Sequence, residues 1–221
     1  MFPTIIDRIH HHIDNWTKSY YAPQLRAKLV NDDFSIISNN CWGGVCYEHY
    51  GLQKLSPTVG MYFYPEDFLK LISDIDYYFS MELEVITSRD SKRLDILRKD
   101  HSDQFYLGVL GDIEAVLVHY KDPQIAKEKW KRRVSRINRN NLVFKFSQQN
   151  GCLDQHLQQF ATIELPGKKF MFVKDSTYLY DCAVHYRGFE KCEEIMNDTF
   201  YWNRYFDVTR FLNGDGIIKK Q

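Results

Sequence analysis

Phe34-Ser35-Ile36-Ile37-Ser38-Asn39-Asn40-Cys41-Trp42-Gly43-Gly44 is the stretch that decides how this 221-residue chain is read. Its first five residues are a short apolar run, which predicts a buried strand. The two asparagines and two glycines predict a turn, with a short helix following through Leu52. Glycine tolerates positive φ and lets the backbone approach a ligand closely. A helix opening at this turn would present free N–H groups that favour an anion such as phosphate.

Upstream, Ile5, Ile6, Ile9, Ile13 and Trp16 fall at helical spacing, so residues 1–30 are expected to form a helical extension. His10-His11-His12 lies inside it. Consecutive rings on a helix point in different directions, so they make a poor metal site and are read as surface residues. Tyr20-Tyr21-Ala22-Pro23 ends the helix. With Lys18, Arg26 and Lys28 it would suit peripheral association with a membrane surface.

Downstream, residues 59–63 predict a second strand. Pro65 then starts a helix with Phe68, Leu69, Ile72, Ile75 and Phe79 on its apolar face. Residues 83–86 predict a third strand, and residues 89–103 an exposed loop or solvated helix. Residues 114–120 predict a strand around Ala115-Val116-Leu117-Val118. Asp122-Pro123 supplies the N-cap and first residue of a helix to Asn138. Strands follow at 142–146 and 169–173, then a helical segment at 189–196 and an aromatic tail. This alternation predicts one α/β domain over residues 1–221: a layered, largely parallel β-sheet flanked by helices, Rossmann-like in organisation. Ligands of such sheets bind at the carboxyl ends of the strands, where Asn39 to Gly44 would lie.

Lys+Arg and Asp+Glu both total 29, so the chain has no net charge and nothing steers it towards nucleic acid. No apolar run reaches the roughly 18 residues of a membrane span, and residues 1–16 lack the apolar core of a signal peptide. Cys41, Cys46, Cys152, Cys182 and Cys192 have no C-x-x-C spacing, which argues against a zinc site or disulfide framework. They suit a reducing, cytoplasmic compartment. The 15 Tyr and 15 Phe fit either an aromatic core or stacking on sugar faces. The dinucleotide G-x-G-x-x-G and the phosphate-loop G-x-x-x-x-G-K-[ST] are both absent, so no motif names a cofactor. No feature specifies an oligomeric state.

Cys41 and His119 are both expected at strand ends on one sheet edge. A thiol at a helix N-terminus beside an imidazole is the minimum for nucleophilic thiol chemistry, because the positive helix end lowers a thiol pKa. Cys41-Trp42 resembles the papain-like cysteine peptidases, although their upstream glutamine is missing. Asp112 is the residue expected to orient His119, by a loop folding over. Otherwise His119 is a strand-end histidine bonded to a carbonyl. Lys127, Lys129, Lys131, Arg132, Arg133, Arg136 and Arg139 crowd the helix after Pro123. A crossover helix runs back along the sheet, about 15 Å from Pro123 to Arg133 at 1.5 Å per residue. These cations are therefore expected at the edge opposite Cys41, complementing the helix dipole, with Arg133 paired to a carboxylate.

Residues 37–44, Leu52, Ser56-Pro57-Thr58-Val59, His119-Tyr120 and the run from Trp130 to Asn138 resemble the bacterial domain-of-unknown-function family numbered nineteen-nineteen. Its members are often labelled exopolysaccharide biosynthesis proteins. The resemblance implies a setting in surface-polysaccharide assembly and carries over no catalytic residue. Three expectations follow. The first is a transferase acting on a sugar nucleotide or glycan. Cys41 and His119 would be its catalytic residues, His119 as base, and Ser38, Asn39, Asn40, Trp42, Gly43, Gly44 and Asp112 would bind substrate. An Asp-x-Asp for a metal-bound sugar nucleotide is lacking, since Asp74-Ile75-Asp76 lies on a predicted helix. The second is a cysteine hydrolase or acyltransferase, and the third a non-catalytic glycan-binding or assembly factor.

Overall fold

Strand β1 (Ser35–Ser38) ends at the Asn39-Asn40 turn, and helix α1 (Trp42–His49) starts directly after it. The structure, a computed structural model, describes residues 20–220. The chain continues through β2 (Tyr62–Phe63), α2 (Pro65–Ser73), α3 (Ile75–Phe79), β3 (Glu84–Ile86), α4 (Leu94–Lys99), β4 (Leu107–Leu110) and β5 (Ile113–Val116). Then come α5 (Pro123–Val134), β6 (Leu142–Ser147), α6 (Asp154–Thr162), β7 (Gly167–Val173), β8 (Ala183–His185) and α7 (Val208–Asn213).

Two sheets result. β1, β6, β7 and β8 pair in that order and all in parallel. The order runs one way only, without the reversal that marks a doubly wound sheet. β2, β5, β4 and β3 form a second, antiparallel sheet. Every antiparallel strand lies between β1 and β6 in the chain, so this sheet is carried by the crossover between two parallel neighbours. The expectation of one largely parallel sheet is corrected to a mixed α/β fold with two sheets. Its physical cause is local: Leu110 pairs with Ile113 across the two-residue turn Gly111-Asp112, with Gly111 at φ 59°. A turn that short makes antiparallel neighbours only.

The parallel sheet is buried on both faces, as such sheets require. Ile36, Val143, Phe170 and Phe172 face α1 and α7 in one apolar cluster with Trp42, Tyr47 and Trp202. Ile37, Phe144, Phe146 and Met171 face a second cluster. That cluster also takes Phe68 of α2, Trp130 of α5, Phe160 of α6, and Phe63, Ile113 and Ala115 of the antiparallel sheet. Rings dominate both clusters, with Phe146 stacked on Phe68 and Phe160. Much of the aromatic content is therefore core. The two sheets also meet through the backbone, where Phe63 N–H donates to the Asn39 carbonyl at 2.9 Å.

Several expected boundaries move. The helix from Pro65 breaks at Asp74, whose carboxylate caps α3 by accepting Tyr77 N–H at 3.1 Å. The strand expected over 114–120 ends at Val116, and His119 lies in a turn. Residues 189–196 form turns and bends rather than a helix. There Ile195 N–H is taken by the Gln148 carbonyl at 2.9 Å, which pins this segment to the end of β6. Helical turns cover residues 20–26, with Tyr20 and Tyr21 exposed. The apolar stripe from Ile5 to Trp16 and His10-His11-His12 lie outside the described residues. Among the described residues no helix is long and apolar enough to cross a membrane.

Candidate functional site

Asn40 is the hub of the carboxyl edge. Its Oδ1 accepts from Trp42 N–H at 3.1 Å, Ser38 Oγ at 3.2 Å and Lys145 Nζ at 2.8 Å. Its Nδ2 donates to Gln149 Oε1 at 2.5 Å and to Asp198 Oδ1 and Oδ2 at 3.0 and 3.1 Å. Lys145, fully buried in mid-strand on β6, also donates to Asp198 Oδ2. Its Nζ lies 5.6 Å from the Phe172 ring centroid. Two opposite charges are thus held under the sheet edge with every partner supplied by the fold, which is the condition for burying them. Burial pushes the Lys145 ammonium down to about 8, against the upward pull of the Asp198 carboxylate.

Asn40 and Asp198 open onto a cleft of about 650 Å³. Cys41, Gly44, Val45 and Glu48 line it from α1, and Lys129 and Arg133 from α5. Gly60, Tyr62, His119 and Tyr120 form another wall, and Gln149, Asn150, Asn197 and Thr199 a third. Arg133 is nine-tenths buried. Its Nη1 donates to the Val59 carbonyl at 2.7 Å and to Tyr120 Oη at 2.6 Å. Among the described residues it has no carboxylate partner, and neither has Lys129, whose Nζ lies 5.3 Å from the Tyr120 ring centroid. Lys54 does have one, Glu48 at 2.8 Å. The cleft, which the Glu48 and Asp198 carboxylates also line, therefore holds two cationic side chains that pair with neither among the described residues.

This corrects two expectations about the basic helix. Among the described residues Arg133 pairs with no carboxylate, and Arg133 and Lys129 share the cleft with Cys41 instead of lying at the far edge. The reason is topological: α5 follows β5 of the antiparallel sheet, so the rule for a parallel crossover does not govern its direction. Lys127, Lys131, Arg132 and Arg136 are exposed and solvated, and Arg139 pairs with Asp76.

Of the residues singled out in the sequence, Asn40, Cys41, Gly44 and His119 line the cleft. Ser38, Asn39, Trp42 and Gly43 stand behind it. Asn39 ties β1 to the end of β6 through Nδ2 to the Ser147 carbonyl at 3.1 Å. Trp42 is fully buried, its Nε1 donating to the Trp202 carbonyl at 3.1 Å. Gly43 and Gly44 are helical, without positive φ. They admit neighbours rather than a turn: a Cβ on Gly43 would sit 3.0 Å from Ile36 Cγ2, and one on Gly44 3.1 Å from Val59 Cγ1.

Asp112 is removed from the site. It sits on the β4–β5 turn, exposed and bonded to Lys70 at 2.5 Å and Tyr78 at 2.8 Å, with the length of β5 between it and His119. Glu114 on β5 accepts Ser91 Oγ at 2.7 Å and is not among the residues that line the cleft. His119 is exposed, its backbone N–H held by the Gly60 carbonyl at 3.2 Å. Among the described residues no hydrogen bond orients its ring or joins it to Cys41. Cys41 is the N-cap of α1. Burial, then the Asp198 carboxylate, pushes its thiol up to about 11, with Lys145 and Lys54 opposing. The helix end does not leave it activated, contrary to the expectation. Asp74 caps α3 and Asp76 faces Arg139, so that Asp-x-Asp spacing is structural. Among the described residues no group of three His, Cys, Asp or Glu is placed to hold a metal ion.

Sequence reasoning missed Lys145, Asp198 and Tyr120, and set Arg133 aside. Lys145 carried a signal: a lone lysine inside the apolar strand Leu142-Val143-Phe144-Lys145-Phe146, a place charges avoid unless paired. Asp198 carried none, since its partner is 53 residues away in sequence.

Fold and site define a mixed α/β protein with a polar, cation-bearing cleft at the carboxyl edge of its parallel sheet. The chain belongs to the family described as Domain of unknown function (DUF1919), whose model matches residues 12–213. A Haemophilus influenzae protein described as an uncharacterized protein is 30% identical over 189 residues, spanning 83% of this chain and 84% of its own length.

Proposed function

We propose that the protein is a transferase acting on an activated, phosphate-bearing sugar in bacterial exopolysaccharide or capsular polysaccharide assembly. The supporting observation is the nine-tenths buried Arg133, which faces the cleft and, among the described residues, pairs with neither of the carboxylates that line it, Glu48 and Asp198. A buried guanidinium is costly unless an anion meets it, and its planar fork suits phosphate oxygens. Lys129 adds a second positive charge. Asn40, Gln149, Asn150, Asn197 and Thr199 offer donors and acceptors for sugar hydroxyls, and Tyr62 a ring face. The five free cysteines suit a cytoplasmic site of action, and the polysaccharide setting rests on the family resemblance. The test is calorimetric titration with UDP- and GDP-sugars in the presence of Mg²⁺. At least one is expected to bind, and Arg133→Gln is expected to weaken it about 10- to 150-fold, the worth of a charge-assisted hydrogen bond. No binding by any donor sinks the proposal.

Cys41 and His119 on one cleft also favour a cysteine-dependent hydrolase or acyltransferase. Against it stands a thiol at about 11, which leaves roughly a thousandth as thiolate at pH 8. Iodoacetamide at pH 8 is expected to label Cys41 about 100-fold more slowly than a free thiol. Labelling at the free-thiol rate would restore the thiol chemistry.

A further inference from the structure

We infer that Asp198 is the catalytic base of the cleft, with Lys145 and Asn40 as the residues that position it; this rests on the transferase reading. Asp198 is 1% exposed yet lines the cleft. Its Oδ2 is fixed by Lys145 and Asn40, and among the described residues its Oδ1 accepts a single bond, from Asn40 Nδ2 at 3.0 Å. A carboxylate oxygen accepts two bonds, so Oδ1 keeps a lone pair for a hydroxyl in the cleft. A base held by groups that are themselves locked needs no reorganisation when the reaction occurs. His119, exposed and unoriented, lacks that support.

The step balances as follows. The acceptor hydroxyl oxygen forms a bond to the anomeric carbon of the donor, and its proton passes to Asp198. The bond from that carbon to the phosphate oxygen breaks, and its electron pair leaves with the nucleoside diphosphate, whose charge Arg133 and Lys129 meet. Nothing is oxidised or reduced. The titratable groups that feel the carboxylate are Lys145 from β6, Cys41 at the start of α1 and Tyr186 after β8.

The experiment measures donor binding first, then donor hydrolysis with water as acceptor, for UDP-glucose, UDP-N-acetylglucosamine and GDP-mannose with Mg²⁺. Asp198→Asn is expected to keep the donor Kd within about threefold and to lower kcat about 10²- to 10⁴-fold, the range for loss of a general base. Lys145→Met/Asp198→Asn removes both buried charges and serves if the single variant does not fold; the same loss is expected. Lys145→Met alone keeps the carboxylate. It is expected to lower kcat while leaving the donor Kd within about threefold, because the anchor that fixes Oδ2 is gone. A purely structural role would weaken donor binding and turnover together. Turnover of the Asp198→Asn or double variant at the wild-type rate overturns the inference, as does a wild-type protein that binds donor without hydrolysing it. Absence of donor binding by the wild type overturns the transferase reading, and this inference with it.

Discussion

Changing Lys145 or Asp198 singly to alanine is expected to lower the unfolding free energy by about 3–5 kcal/mol, and Lys145→Met/Asp198→Leu by distinctly less. Both side chains are essentially unexposed, and each is the other's only ionic partner among the described residues. Removing one leaves a buried charge with only amide and ring contacts. Removing both leaves no buried charge, and Asn40 keeps its bonds to Trp42 N–H, Ser38 and Gln149. The non-additivity is the diagnostic result. Urea denaturation with an unchanged m-value measures it, and strictly additive losses would show that the pair is not a coupled unit.

Trp42→Ala is expected to cost about 3–5 kcal/mol, the usual range for deleting a large buried ring. Trp42 meets Phe170 edge-on at 5.1 Å and Phe172 at 6.3 Å, and its Nε1 holds the Trp202 carbonyl. The loss also reaches function. Trp42 anchors the first turn of α1, which places Cys41 and Gly44 in the cleft, so donor binding is expected to weaken even at temperatures where the variant is folded. Donor affinity equal to wild type in a folded Trp42→Ala protein would mean that the α1 anchor does not shape the site.

Much of the fold was legible because certain segments carry strong local signals. Ser35–Ser38, Leu142–Ser147 and the Phe170–Val173 half of β7 are buried throughout and centred on apolar residues, and Pro65 and Asp122-Pro123 mark helix starts unambiguously. β4 was invisible because Leu107-Gly108-Val109-Leu110 is four residues long and carries a glycine. That glycine is there for contact: a Cβ on Gly108 would sit 2.7 Å from Leu83 Cδ1. α6 has two apolar residues buried in nine, Leu157 and Phe160, too few to show a period. In residues 189–196 the apolar spacing imitated a helix, but the Ile195 bond to the Gln148 carbonyl outweighs it. The same tether delivers Asp198 to Lys145. The Asn40 to Gly44 turn was found at the right edge for a sound reason, while the charges that complete the site come from α5 and from the loop before Trp202. Both positions depend on long-range packing that no local pattern encodes.

The measurement that bears most directly on the site is a crystal structure of the protein with a sugar nucleotide that calorimetry shows to bind. Phosphate oxygens are expected within about 2.7–3.2 Å of the Arg133 guanidinium, with the sugar beside Asn40 and Asp198. Density for the phosphates anywhere else, for instance in the hollow beside Lys168 and Lys169, would contradict the assignment of this cleft.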